Sequence, residues 1–211
     1  MTKKLLTLLV VLLFTGCFSD ETTSNKKATD TELNDSNTTQ KIEVSTKPKI
    51  ENLKSDKSSL FTLTTIKGKS LNIDELDGGL AIHELKDKVV FLIFFGHRCP
   101  PCLAEIPALI ELTKEGHKDL EIIALEVQGL NNKSLEKFAK HKGINYHLIS
   151  ADNNQDFISY VGGKAGWSGA IPFLLAMDSK GVVQMVHTGG LGKAQFDNIF
   201  KEIKALKNKV K

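Results

Sequence analysis

The sequence predicts an α/β domain built on a mixed central sheet, with helices on both faces and a short N-terminal β-hairpin. Three observations carry this reading. Apolar runs of strand length alternate with helix-forming stretches through the middle of the chain. The last segment reads as a hairpin followed by one amphipathic helix. Between the first long apolar run and the first helix stand Cys99-Pro100-Pro101-Cys102, a strand–turn–helix junction. Alternating strands and helices ending in a hairpin plus helix favour a mixed sheet covered on both sides.

The elements follow in order. Leu60-Phe61-Thr62-Leu63 and Ser70-Leu71-Asn72-Ile73 alternate apolar and polar around Lys67-Gly68-Lys69, the pattern of a hairpin with a Gly turn. Lys88 to Phe95 is a continuous apolar run flanked by charge and by Gly96, which predicts a buried strand. A helix is expected from Pro101 to about Glu115, closed by Gly116. Its start is set at Pro101 because a proline disfavours helical backbone in the residue before it. Leu120 to Val127 predicts a second buried strand, Ser134 to Lys142 a helix ended by Gly143, and Asn145 to Ile149 a weaker strand. Gln155 to Val161 predicts a short helix stopped by Gly162-Gly163. Phe173 to Met177 and Val182 to His187 flank Asp178-Ser179-Lys180-Gly181, a hairpin signature. Phe196, Ile199, Phe200, Ile203 and Leu206 recur at helical spacing.

The N-terminal quarter has a different character. Met1-Thr2-Lys3-Lys4 is basic, Leu5 to Phe14 is almost unbroken apolar, and Thr15-Gly16-Cys17 follows. That apolar stretch is shorter than the roughly 20 residues a membrane-spanning helix needs, and it has the layout of a secretory signal. Leu13-Phe14-Thr15-Gly16-Cys17 resembles the bacterial lipobox, in which the signal is cut before a cysteine that becomes lipidated, although Phe14 stands where Leu is usual. An ordinary signal peptide with an incidental cysteine is the alternative. From residue 17 to residue 57 the chain is rich in Ser, Thr, Asn, Lys, Asp and Glu, too polar to offset the entropy of ordering. The expected organisation is a signal peptide at 1–16, a lipidated Cys17 with a disordered tether at 17–57, and one domain at 58–211. No internal repeat is visible, and a formal charge of +3 with dispersed lysines gives nucleic-acid binding no support.

Only three cysteines are present, so Cys17 as an anchor leaves Cys99 and Cys102 as one pair. Two thiols three positions apart close a disulfide only within one tight turn, and strand, C-x-x-C, helix is the context of a redox motif. At a helix mouth the first thiolate is favoured by unpaired backbone N–H groups and the helix dipole. Pro100 and Pro101 offer no N–H, so the Cys102 amide becomes the chief donor to Cys99. Cys102 is expected to face inward as the resolving thiol. An exported chain meets an oxidising compartment, so such a dithiol needs a partner to exchange electrons with.

Cys99-Pro100-Pro101-Cys102, with Glu105 three positions and Pro107 five positions after the second cysteine, resembles the thioredoxin superfamily, most closely its extracytoplasmic TlpA, ResA and CcmG group. Ala170-Ile171-Pro172-Phe173-Leu174, then Asp178-Ser179-Lys180-Gly181 and Gly189-Gly190, is similar to the second half of that group. The resemblance covers about Phe61 to the C-terminus. It implies a thioredoxin-like fold and a thiol–disulfide oxidoreductase with no cofactor beyond the Cys99–Cys102 disulfide. It further implies a cis peptide before Pro172, with the Ile171 backbone open to a substrate strand. Implied partners are proteins carrying thiols or disulfides, such as apocytochrome c or copper-site cysteines, and a membrane electron donor of the DsbD or CcdA type. The implied location is extracytoplasmic, lipid-anchored to a bacterial membrane, on the periplasmic face if the cell is Gram-negative. The working direction is reductive; an oxidase or isomerase of the same fold is one alternative, and a non-catalytic copper-binding module another.

Several residues depart from the family pattern or have two readings. Arg98, preceded by His97, stands where Trp is common, and its charge would favour the Cys99 thiolate. Cytosolic thioredoxins carry a buried Asp six positions before the first cysteine, and here that residue is Ile93. Glu126, at the end of a buried strand, is the candidate proton acceptor for Cys102, or else an ordinary strand-end acid in water. Glu105 has a family counterpart, or is a solvated or ion-paired surface residue one turn into the helix. Pro107 is read as kinking that helix and Trp167 as loop packing rather than substrate stacking. The six histidines form no close pair with metal-ligand spacing, so no metal is expected.

Overall fold

The computed structural model describes residues 59–206. The expected signal peptide (1–16), Cys17 and the tether to residue 57 lie outside the described residues.

β1 (Phe61–Thr64), β2 (Ser70–Leu76) and β3 (Gly79–Ile82) form a three-stranded antiparallel sheet. The first two are the expected hairpin, in the register Phe61 to Ile73. β3 is an addition. Four residues carry little periodic signal of their own; β3 pairs antiparallel with β2, Leu76 opposite Gly79, and its other edge is held from a distance, Leu80 N donating to Gly181 O at 2.9 Å. At Gly79 a Cβ would stand 2.0 Å from that same carbonyl, so only glycine permits the approach. A single 3₁₀ turn, His83–Leu85, leads on to the main sheet.

The main sheet has five strands: β4 (Val89–Phe95), β5 (Leu120–Glu126), β6 (His147–Ser150), β7 (Phe173–Met177) and β8 (Val183–Thr188). Their spatial order is β6-β5-β4-β7-β8. β4, β5 and β6 run parallel, and β7 and β8 add antiparallel on the other side, giving the mixed sheet expected. All seven residues of β4 are buried because both of its faces are covered. Side chains alternate across a strand. Phe91, Ile93 and Phe95 therefore enter a core with α1 (Pro100–Lys114), α2 (Asn132–Lys142) and α4 (Lys193–Leu206). Val90, Leu92 and Phe94 enter a second core with the small sheet and α3 (Gln155–Ala165). Phe196 of α4 packs on Phe91, ring centroids 6.1 Å apart.

Two helix boundaries and one burial differ from expectation. α1 begins at Pro100, not Pro101. Prolines at the first two helical positions lose only N–H groups that have no intrahelical partner there. α3 does not stop at Gly162-Gly163 but continues to Ala165 and ends at Gly166, whose φ is +67°. Gly162 is instead a packing position: a Cβ there would lie 3.0 Å from Trp167 Cε3. In α4 Phe196, Ile199, Phe200 and Ile203 are buried as expected, while Leu206, at the helix end, is exposed.

Candidate functional site

Three loops meet at the carboxyl end of β4. The chain leaves Phe95 through the turn Gly96–Cys99, closed by Cys99 N donating to Gly96 O at 3.2 Å. Cys99 is the N-cap of α1, with extended backbone (φ −93°, ψ 108°). Cys99 and Cys102 are joined in a disulfide with Cα atoms 5.3 Å apart. Cys102 N points at Cys99 Sγ from 3.4 Å, the one helix-mouth donor that the two prolines leave. Cys102 is the more deeply placed, 2% exposed against 7% for Cys99, and Pro100 and Pro101 are exposed beside them.

The second loop precedes β7. The Ile171–Pro172 peptide is cis, and Ile171 O lies 3.6 Å from Cys99 Sγ. This loop is fixed by Trp167, whose Nε1 donates to Ala170 O at 2.7 Å and whose ring meets Phe94 edge-on at 4.9 Å. Trp167 therefore packs the loop, as expected. The third loop follows β8. Gly189 N donates to Pro172 O at 2.9 Å, and a Cβ on Gly190 would lie 3.5 Å from Pro101 Cβ.

Glu105 corrects the surface reading. It is 4% exposed, and its Oε1 accepts from Leu191 N at 2.6 Å. Burial pushes its pKa up to about 7, against the opposing pull of the Leu191 N–H. Glu105 stands one helical turn after Cys102, at the i,i+3 spacing that shares a helix face. Tyr146 shares this core; burial pushes its phenol up, and the charge on Glu105 adds to the effect.

Glu126 is likewise no strand-end acid in water, being fully buried. Its Oε1 accepts from His97 Nδ1 at 2.8 Å and Gln128 N at 3.0 Å, with His97 N at 3.4 Å, and its Oε2 accepts from Leu130 N at 2.7 Å. Among the described residues it hydrogen-bonds neither cysteine; its bonds go to the turn before Cys99 and to the loop after β5. The His97 contact escaped sequence reasoning, although strand register contains it. Phe95 and Glu126 end adjacent parallel strands in register, which brings His97, two residues on, to the Glu126 carboxylate.

Arg98 is exposed at the corner of the turn, with its backbone N donating to Gln128 Oε1 at 2.9 Å. Ile93 is buried on β4, where the cytosolic branch has its acid. Pro107 lies inside α1. Among the described residues one acid–histidine cluster has metal-like spacing, Glu115, His117 and Asp197. Lys193 Nζ already sits 2.7 Å from both carboxylates, which supplies the countercharge.

A disulfide at a helix mouth, facing a cis-proline loop on a mixed sheet, defines a protein of the thioredoxin class. Residues 48–203 match the Redoxin family, and the chain belongs to it. It is 30% identical over 148 residues to the thiol-disulfide oxidoreductase ResA of Geobacillus kaustophilus, covering 68% of this chain and 74% of that one. It is 31% identical over 146 residues to ResA of Bacillus anthracis, with the same shares covered. Among solved structures it is similar to a thioredoxin-family thiol:disulfide interchange protein from Chlorobium tepidum, at 27% identity and a TM-score of 0.58, covering 68% of this chain and 92% of that one. The chain is a thiol–disulfide oxidoreductase.

Proposed function

We propose that this enzyme is anchored outside the cytoplasm through a lipidated Cys17 and reduces disulfides of exported proteins with the Cys99–Cys102 dithiol. The observation that carries the assignment of roles is the placement of Cys99. Its sulfur caps α1 with one amide donor and lies 3.6 Å from the Ile171 carbonyl beside the cis-proline. A client segment pairing with the Ile171 backbone would bring its own disulfide to that sulfur.

The exchange then proceeds in two balanced steps. The Cys99 thiolate attacks one sulfur of the client disulfide, forming a mixed disulfide and releasing the other client sulfur as a thiolate that takes up a proton. Cys102 gives its proton to a base and attacks Cys99 Sγ, forming the Cys99–Cys102 disulfide and releasing the second client thiol. Two electrons pass from the enzyme to the client. Glu105 is the better base than Glu126. It is one turn from Cys102 with a pKa near neutral, the range suited to proton transfer, whereas Glu126 is fully engaged elsewhere. The disulfide is then reduced again by a membrane donor, for which a DsbD- or CcdA-type protein is the candidate. Apocytochrome c and copper-site dithiols are the candidate clients. The basic, apolar, Gly-Cys beginning of the sequence supports export and anchoring.

The test uses the full chain in its native membrane. Cys102→Ser should trap the client as a mixed disulfide, and Cys99→Ser should abolish disulfide reduction. If Cys102→Ser traps nothing while copper copurifies stoichiometrically with the unmutated protein, the chain is a copper carrier and the reductase reading is wrong.

A further inference from the structure

Cys99 is reached from β4 by the single turn Gly96–Cys99, and that turn is held by the side chains of Glu126, the last residue of β5, and of Gln128 in the loop that follows. Glu126 Oε1 takes His97 Nδ1 at 2.8 Å and His97 N at 3.4 Å, and Gln128 Oε1 takes Arg98 N at 2.9 Å. Both acceptors are themselves fixed. Gln128 N and Leu130 N donate to Glu126 at 3.0 and 2.7 Å. The Gln128 side chain lies across Gly96, where an added Cβ would stand 2.3 Å from its Cδ.

The protonation pattern follows from this geometry. Three of the four donors at Glu126 are backbone N–H groups, which can only donate. With both oxygens accepting, the group fits as a carboxylate, which has no proton to offer. His97 Nδ1 must therefore carry the hydrogen, and Nε2 has no partner among the described residues. A buried carboxylate is tolerable only with such a set of donors, and charge-assisted bonds are roughly twice as strong as neutral ones.

We infer that His97 and Glu126 form a positioning pair for exchange at Cys99. Their bond holds the turn so that the Cys99 sulfur stays within reach of the Cys102 amide and the Ile171 carbonyl. The arrangement matters here because Pro100 and Pro101 leave no second helix-mouth amide to compensate for a displaced sulfur. The inference rests on Cys99 being the attacking thiol.

Three variants of the full chain in detergent test it: His97→Asn, whose amide N–H can occupy the place of Nδ1, His97→Phe, which fills the ring without a donor, and Glu126→Gln. The readouts are the alkylation rate of Cys99 in the reduced protein at fixed pH and the equilibrium constant against glutathione. His97→Phe should slow alkylation about tenfold and make the disulfide about tenfold harder to reduce, equivalent to about 30 mV. Glu126→Gln should behave alike, because its amide turns a donor toward donors. His97→Asn should recover most of both. If Asn is as impaired as Phe, the free ring nitrogen does the work and positioning is wrong. If both His97 variants match the unmutated protein, the pair is passive and the inference fails; those two, on a partly exposed ring, decide even if Glu126→Gln does not fold. A Cys99→Ser protein that still exchanges disulfides would instead overturn the assignment of the nucleophile.

Discussion

The backbone N–H of Leu191 donates to Glu105 Oε1 at 2.6 Å inside the core, joining the loop before α4 to the helix that carries Cys102 and is capped by Cys99. One hydrogen bond does not cancel the burial of the carboxyl, and the pKa of Glu105 rises to about 7. The folded protein therefore holds this proton more tightly than the unfolded chain, whose carboxyl titrates near its ordinary value of 4.5. Stability from this group is fully present below about 4.5 and is lost as pH rises through 7, on the order of 3 kcal/mol. Glu105→Gln keeps an acceptor for Leu191 and removes the titration. The urea midpoint of the oxidised variant should fall less between pH 5 and pH 8 than that of the unmutated protein. Equal pH dependence in the two would refute the burial argument.

The same substitution tests proton transfer. If Glu105 takes the Cys102 proton, Glu105→Gln should slow resolution of a mixed disulfide about 10- to 100-fold near pH 7 while leaving the first attack by Cys99 nearly intact. A stopped-flow assay that separates the two steps checks this, and equal slowing of both would point to a displaced α1 instead.

Arg98 is exposed immediately before Cys99, so its charge acts through water and is screened. Removing it destabilises the thiolate, and hence the reduced state, so the disulfide becomes harder to reduce. Arg98→Trp should slow alkylation of Cys99 at mildly acidic pH only a few-fold, and the difference should shrink in high salt. An unchanged or faster rate would count against a role for the charge.

Thiol accounting distinguishes the three cysteines. With Cys17 lipidated through its sulfur, alkylation after reduction should label two sites in the mature protein, Cys99 ahead of Cys102. Mass spectrometry of the labelled chain checks it. A third labelled cysteine would leave the protein without its anchor, and faster labelling of Cys102 would reverse the roles assigned to the pair.

What could be read in the sequence was what local pattern encodes. β4 and β5 were legible because both faces are covered and their residues are continuously apolar, and the cysteine junction because strand, turn and helix signals abut. Ile171-Pro172 was legible through family resemblance, and it stands against Cys99 as that resemblance implies. β3 is not legible because it is only four residues long and, although it pairs with the adjacent β2, its other edge is held by Gly181 about a hundred residues away. The two acids stay open in the sequence for a related reason. Glu105 and Glu126 each admit a functional and a surface reading until Leu191 and His97 are brought to them, and those contacts are set by loops after β8 and β4 that carry no periodic signal. Gly162 and Gly163 were read as a helix stop because glycine is a poor helix former; tertiary packing overrides that preference at Gly162.

The two glycines yield a paired prediction. At Gly163 nothing lies within 4 Å of a built Cβ, so Gly163→Ala should gain the ordinary helical advantage of alanine, about 0.5–1 kcal/mol. At Gly162 the same methyl meets Trp167 Cε3 at 3.0 Å. Trp167 has little room to yield, since Nε1 is bonded to Ala170 O at 2.7 Å and the ring is set edge-on to Phe94 and against Phe173. Overpacking of this kind costs about 1–3 kcal/mol, which outweighs the helical gain. Gly162→Ala should therefore lower the urea midpoint while Gly163→Ala raises it. Because Trp167 fixes the loop that presents Ile171 to Cys99, Gly162→Ala should also reduce disulfide reductase activity, and Gly163→Ala should not. If both variants are equally stabilised, Trp167 moves freely and the loop is not anchored through it.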